Sequence, residues 1–375
     1  MDSGLKVALV HDWLTGMRGG EKVLEVLCEL YPGAPLFTLL HNKGSVSPLI
    51  EDREIHASFI DRLPLKARKY RNYLPLFPRA IESLDISRFD VILSTSHAVA
   101  KGIRKSPGAL HVCYCHTPMR YVWELYDQYF GQGRAGIATR TAMSFVAPRL
   151  RRWDVRSNSR VTAFIANSLN VADRIRQYYD RSSTVIYPPV STDLFTLSAE
   201  HDGYDLIVSA LVPYKRVDLA VETYNRNARR LLVVGTGPEA ERLRPMAASN
   251  IEFLGWRSDQ ELVKLYARCR ALIFPGIEDF GIVPLEAMAS GKPVVAFGKG
   301  GALETVVDDP AGGTGVFFTE QTPGALQEAL EKLENRTIDA VKIRNHAGKF
   351  DRRIFKEKYS SFVEGAVKKH FSNQS

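Results

Sequence analysis

At 375 residues the chain is longer than one hydrophobic core usually organises, which predicts two domains, and its 45% hydrophobic and 25% charged residues read as an ordinary soluble globular protein. No apolar run approaches the ~20 residues of a membrane span, nothing at the start resembles a signal peptide, and Cys28, Cys113, Cys115 and Cys269 show no disulfide framework, which fits a reducing cytoplasm. The net charge of +8 calls for an anionic partner, for which nucleic acid, anionic lipid and phosphorylated small molecules all qualify.

The first half alternates short apolar strands with helical stretches, as a parallel sheet flanked by helices requires. Val7-Ala8-Leu9-Val10 is the first predicted strand, and Gly16-Met17-Arg18-Gly19-Gly20-Glu21-Lys22 opens the helix that follows it. Adjacent glycines let a ligand approach the backbone, and the helix start offers free N–H groups. A plain tight turn would look the same. The spacing is not the dinucleotide fingerprint, since no third glycine is correctly placed, so a nicotinamide dehydrogenase is disfavoured.

From Arg62 to Arg79 the chain carries Lys66, Arg68, Lys69 and Arg71 with no acid, interleaved with Leu65, Tyr70, Leu74 and Phe77. A second basic stretch holds Arg134, Arg140, Arg149, Arg151, Arg152, Arg156 and Arg160 against one acid, Asp154. Such mixtures suit a surface resting on anionic headgroups, and equally a solvated helix face whose apolar side enters the core. Pro64, Pro75 and Pro78 argue against one long helix in the first stretch. No zinc finger, aromatic RNA-binding signature or heptad basic region occurs, which sets nucleic acid aside.

Strands are expected at Val91-Ile92-Leu93-Ser94, at His111-Val112-Cys113-Tyr114-Cys115 and at Ala163-Phe164-Ile165-Ala166. Alternation puts His111, Cys113 and Cys115 on one face, but a second ligand cluster with zinc spacing is missing, so buried cysteines are the plainer reading and no metal is assigned. His116 stands at a strand end, where open sheets bind ligands. His97 is a second candidate, for which a helix-start histidine is the simpler explanation.

Val185-Ile186-Tyr187-Pro188-Pro189-Val190 marks a break, after which the pattern restarts at Leu206-Ile207-Val208-Ser209-Ala210. Leu231-Leu232-Val233-Val234-Gly235, Ile251-Glu252-Phe253-Leu254-Gly255, Ala271-Leu272-Ile273-Phe274-Pro275 and Pro293-Val294-Val295-Ala296 continue it. Lys215 and Arg216 sit at a helix start, where cations oppose the helix dipole, and this argues for a bound anion. Then comes Glu278-Asp279-Phe280-Gly281-Ile282-Val283-Pro284-Leu285-Glu286. One carboxylate can reach sugar hydroxyls, the peptides around Phe280, Gly281 and Ile282 face an anion, and Glu286, one to two turns into the helix, can take a ribose. A capped surface helix with two unrelated glutamates is the bland alternative. The final stretch, 352–371, has the spacing of an amphipathic helix. No Asp-any-Asp triplet occurs to hold a divalent ion, so basic residues and helix dipoles must replace its charge.

In order along the chain, Gly19-Gly20, His116, Ala166-Asn167-Ser168, Tyr187-Pro188-Pro189-Val190, Lys215, Gly235-Thr236-Gly237-Pro238, Phe253-Leu254-Gly255-Trp256 and the glutamate pair resemble the retaining family 4 (group 1) glycosyltransferases. The resemblance implies a GT-B fold: two doubly wound, Rossmann-like α/β domains facing a central cleft. It gives an acceptor-binding domain over residues 1–184, a donor-binding domain over 185–350, and a last helix over 351–375 that crosses back to the first domain. It also implies a hexosyltransferase without cofactor or metal, in which Glu278 contacts the donor sugar, His116 lies near it, Lys215 holds the diphosphate and Glu286 binds ribose. Gly19, Gly20, Arg216, Asp279, Phe280, Gly281, Ile282 and Val283 complete the expected donor site.

Where the family commonly has Gly-Arg-Leu, this chain reads Ser209-Ala210-Leu211, which leaves Arg216 or Arg18 to supply the missing charge. That departure, with His11-Asp12-Trp13-Leu14 and His116-Thr117-Pro118-Met119-Arg120-Tyr121, is similar to O-antigen mannosyltransferases that use GDP-mannose. The implied partners are a sugar nucleotide, a lipid-diphosphate-linked glycan acceptor of O-antigen or lipopolysaccharide biosynthesis, and an anionic membrane surface. The implied location is peripheral, on the inner face of the cell membrane. With no second carboxylate evident as a nucleophile, same-face displacement is expected, the leaving phosphate taking the acceptor's proton. A UDP-hexose-dependent enzyme of the same fold and a non-catalytic sugar-nucleotide-binding protein remain the alternatives.

Overall fold

The structure is a computed structural model that describes residues 4–124, 126–131 and 136–372; Arg134 of the second basic stretch lies outside them. By its contacts the chain divides into two units, one of residues 1–189 with 355–375 and one of residues 190–354. These boundaries fall a few residues beyond those read from the sequence. At the first boundary Ile186 stays tied to the first unit, its N–H donating to Ala166 O (3.0 Å) and its carbonyl accepting from Tyr114 Oη (2.8 Å). At the second, Val190 N–H donates to Phe350 O (3.1 Å) and its carbonyl accepts from Arg352 N (2.9 Å), which keeps residues just past 350 with the second unit.

The first unit is built on seven parallel strands: β1 (Val7–His11), β2 (Leu36–Thr38), β3 (Ile55–Ala57), β4 (Val91–Ser96), β5 (Leu110–Cys115), β6 (Ala163–Ala166) and β7 (Ser183–Val185). Their order in the sheet is β3-β2-β1-β4-β5-β6-β7. Side chains alternate across the pleat. Leu9, Leu36, Val91 and Leu93 therefore face the helix Gly19–Leu30 and, from the C-terminal helix Arg352–Ser372, Phe355, Tyr359 and Val363. Ala8, Val10, Phe37 and Ile92 face the opposite side, covered by the segment 59–82 and the helix Ile137–Ser157.

The first basic stretch forms short turns, Phe59–Arg62, Lys66–Lys69, Tyr70–Leu76 and Phe77–Glu82, as its prolines demand. Much of its apolar content turns inward, with Tyr70 and Phe77 against Trp13 at ring separations of 5.2 and 5.9 Å. Lys66 pairs with Asp61 at 2.5 Å. Lys69, Arg71 and Arg79 stay exposed, so the cations of this stretch reach the surface while most of its aromatic side chains belong to the core.

The second unit holds six parallel strands: β8 (Tyr204–Val208), β9 (Arg230–Val234), β10 (Ile251–Gly255), β11 (Leu272–Phe274), β12 (Val294–Phe297) and β13 (Gly315–Phe318), in the order β10-β9-β8-β11-β12-β13. In each sheet the order reverses once, between β1 and β4 and between β8 and β11. At such a reversal adjacent loops diverge to opposite faces and leave a crevice beyond the carboxyl ends of the strands. Among the described residues no helix is long and apolar enough to cross a membrane.

Candidate functional site

In the second unit the expected donor residues converge on the reversal between β8 and β11. The loop after β8 carries Lys215 and the loop after β11 carries Glu278, and the two side chains form an ion pair, Nζ to Oε1. Gly276 lets the loops meet, since a Cβ there would lie 2.8 Å from Lys215 Cα. From the far side comes the loop after β12. Gly301 N donates to Glu278 O (2.9 Å), and a side chain on Gly301 would fall 2.2 Å from Phe280 Cα. Only glycine fits there. The Gly300–Gly301 pair was not among the expected site residues; a double glycine in the short loop after a strand is the signal that marks it.

The helix Ile282–Ala289 starts at Gly281, which adopts φ 89°. Its first turn offers N–H groups with no intrahelical acceptor. Ile282 and Val283 are half-buried there and Asp279 is half-buried just before, whereas the ring of Phe280 turns into the core, 5.8 Å from Phe350. What Phe280 presents at this loop is therefore its backbone. Glu286, 7% exposed, accepts a 2.9 Å hydrogen bond from Tyr266 Oη. Burial, and then the adjacent carboxylate charge, push the Tyr266 phenol well above its ordinary range, so it stays a donor. Tyr266 was not anticipated, because nothing local to residue 266 signals a partner twenty residues away.

Arg216 takes a left-handed conformation, φ 52°, at the start of the helix Val217–Asn227. Its guanidinium meets Asp218 (3.3 Å) and Gln321 Oε1 (3.2 Å), while Gln321 Nε2 donates to Pro275 O (2.8 Å). Its charge is thus shared with Asp218, and Lys215 is the cation set against Glu278.

In the first unit Gly19 and Gly20 begin the helix after β1, and His116 follows β5. They come together: a Cβ on Gly20 would lie 3.6 Å from His116 Nε2 and 3.5 Å from His11 Cε1. His11 Nδ1 meets Thr95 Oγ1 at 2.5 Å, and its Nε2 stands 3.8 Å from Glu21 Oε1. Burial alone would raise the Glu21 carboxyl, but its contacts with His11 and the nearby His97 hold it below the usual range. His97 is not at a helix start. It lies in the turn after β4, where Asp12 accepts hydrogen bonds from the N–H groups of His97, Ala98, Val99 and Ala100 at 2.6–2.9 Å. Burial, and then the charges of His11, Arg120 and Arg18, push the His97 imidazole down to about 3. This unit therefore presents a glycine helix start and three histidines at its own strand-order reversal.

The buried cysteines behave as apolar side chains, with burial pushing the thiols of Cys113 and Cys269 up to about 12. His111 hydrogen-bonds Ser94 Oγ (2.8 Å) and Arg160 O (3.3 Å), and among the described residues no group of three or more His, Cys, Asp or Glu is placed to hold a metal.

The family description "Glycosyltransferase Family 4" matches residues 26–194, and "Glycosyl transferases group 1" matches residues 195–350. An uncharacterised glycosyltransferase of Methanocaldococcus jannaschii is 28% identical over 176 residues, 46% of this chain and 49% of the relative. The O-antigen chain mannosyltransferase RfbU of Salmonella typhimurium is 29% identical over 206 residues, 49% of this chain and 54% of that protein. The chain thus spans about half the length of these curated relatives. Among solved structures, HepE of Anabaena in complex with UDP superposes with a TM-score of 0.69 at 19% identity, over 96% of this chain and 100% of that one. At that identity the likeness speaks for the fold.

Proposed function

The chain belongs to family 4 of the glycosyltransferases, with the GT-B fold, and on that premise we propose that it transfers mannose from GDP-mannose onto a lipid-diphosphate-linked glycan with retention of anomeric configuration. The observation that carries the proposal is the placement of Lys215, Glu278 and the helix bearing Glu286 at the β8–β11 reversal. A nucleoside diphosphate sugar carries an anion to be neutralised, sugar hydroxyls to be accepted and a ribose to be held, and this group of residues offers one partner for each.

Lys215 and the first-turn N–H groups of the helix Ile282–Ala289 take the diphosphate and stabilise the charge that grows on it as the glycosidic bond breaks. Once Lys215 turns to phosphate, Glu278 is released to accept hydrogen bonds from the transferred sugar. Glu286, fixed by Tyr266, accepts from the ribose. The leaving phosphate receives the proton of the attacking hydroxyl on the face it departs from, so the configuration is kept. His116, beside Gly20, is assigned to the neighbourhood of the transferred sugar. The mannosyl and O-antigen parts of the reading are supported by the likeness to RfbU. A peripheral place on the inner membrane face is supported by the two basic stretches.

The test is transfer from GDP-mannose to a lipid-diphosphate-linked oligosaccharide, with the linkage read by NMR. The proposal expects an α-linked product from the α-linked donor; a β linkage contradicts it.

A further inference from the structure

We propose that the first unit docks on an anionic lipid bilayer through the outer face of the helix Ile137–Ser157, an inference that rests on the membrane-surface reading above and assigns it to particular residues. Met143, Ala147, Leu150 and Trp153 recur at three- and four-residue spacing and seat this helix on the core. The opposite face of such a helix is ordinarily polar. Here it carries Phe145, 64% exposed, with Ile137 (79%) and Val155 (40%).

Running through that apolar face are Arg149, Arg152 and Arg156, and none of them pairs with a carboxylate among the described residues. The one acid of the helix, Asp154, is fully buried, where it pairs with Lys101 (3.1 Å) and accepts from Trp123 Nε1 and Tyr179 Oη (2.9 Å each). The outward face is therefore apolar and cationic, with no negative charge of its own. That combination matches the interfacial layer of an anionic bilayer, where a ring or branched side chain enters the acyl boundary and guanidinium groups meet lipid phosphates. A protein partner would have to supply carboxylates for three arginines and an apolar seat between them; the bilayer supplies both without a matched shape. Lys69, Arg71 and Arg79 lie on the same side of the sheet, because Tyr70, Leu74 and Phe77 enter the same core cluster as Leu150 and Trp153. They extend the positive field that draws this side to the membrane.

The experiment is co-sedimentation of the full chain with vesicles of phosphatidylglycerol and phosphatidylcholine, against pure phosphatidylcholine. The unmodified protein is expected to bind the anionic vesicles only, less as salt rises. Replacing Arg149, Arg152 and Arg156 together by Ser is expected to weaken binding on the order of 100-fold, and Phe145→Ser by roughly tenfold. Calorimetric binding of GDP by both variants serves as the check of folding and reports separately on the donor site. If the unmodified chain ignores anionic vesicles, this inference and the membrane reading fall together. Should binding survive both variants and disappear only when Lys69, Arg71 and Arg79 are replaced, the membrane reading stands and this face is wrong. A dimer in light scattering that Phe145→Ser converts to monomer, with vesicle binding intact, would assign the face to a second copy and overturn the proposal.

Discussion

Lys215 and Glu278 form an ion pair across the reversal of strand order in the second unit, joining the loop after β8 to the loop after β11. The same two groups are the proposed partners of the diphosphate and the sugar, so donor binding exchanges their ion pair for a Lys215–phosphate pair and hydrogen bonds from sugar hydroxyls to Glu278. Glu278→Ala is expected to lower transfer by about 10²–10³-fold, as loss of a transition-state contact does. GDP binding should persist or tighten, because Lys215 loses its competitor. Lys215→Ala should weaken GDP by about 2 kcal/mol. Calorimetry on both variants checks this, and a loss of GDP affinity in Glu278→Ala would remove the assigned roles.

Glu286 is assigned to ribose, so it should matter only where ribose hydroxyls are present. In the unmodified chain GDP should bind more tightly than 2′-deoxy-GDP, and Glu286→Ala should erase the difference. Tyr266→Phe, which withdraws the 2.9 Å hydrogen bond, is expected to cost about 1–2 kcal/mol in urea unfolding. An unchanged preference for the 2′-hydroxyl in Glu286→Ala would place ribose elsewhere.

Two glycines should respond with opposite sign. Gly301→Ala drives a methyl to 2.2 Å from Phe280 Cα and must part the loops after β11 and β12; a loss of about 3 kcal/mol or more is expected, together with weakened nucleotide binding. Gly365→Ala, in the C-terminal helix with nothing within 4 Å, should stabilise the protein by roughly 0.5–1 kcal/mol. Thermal melts of the two variants decide.

Asp12 fixes the turn after β4 by accepting from four consecutive backbone N–H groups. Removing it leaves those donors buried and unpaired, and Asp12→Ala is expected to cost about 3–5 kcal/mol in chemical unfolding. A cost below about 1 kcal/mol would show that the turn holds itself.

Stability should fall in acid partly through His111. Its Nδ1–H donates to Arg160 O and its Nε2 accepts from Ser94, an arrangement only the neutral ring can make. Burial, and then the charges of Lys105, Lys101 and Arg160, push the group down to about 3. A depressed histidine leaves the unfolded chain with more bound protons below its ordinary value of about 6.5, so the contribution is complete above that pH and is lost as pH falls towards 3, by about 1.4 kcal/mol per pH unit. His111→Gln should flatten the slope of stability between about pH 6 and 4 relative to the unmodified protein.

The alternation of strands and helices, and the residues that close each strand, were legible in the sequence because buried parallel strands are near-continuous apolar runs. Lys215, Glu278 and Glu286 could be named from their positions after such runs. β2, β3 and β7 were missed: three residues give no period of their own, and pairing to neighbours makes each a strand; β11, equally short, was named from the apolar residues that extend it on both sides. β13 escaped for the same reason as β2, β3 and β7. Tyr266, Gln321 and Gly301 reach the site from elements far apart in the chain, and no local pattern records such contacts. In the first basic stretch the sequence mixed Tyr70 and Phe77 with arginines, and only the fold sorted them into core and surface.

The most direct test of the donor site is calorimetric titration of the full chain with GDP, GDP-mannose, UDP and UDP-glucose, without added metal. The account predicts clear binding of GDP and GDP-mannose, little binding of the uridine nucleotides, and guanine-nucleotide binding weakened about 30-fold in Lys215→Ala. Preference for UDP and UDP-glucose would contradict the assigned donor, and absence of binding by all four would contradict the site itself.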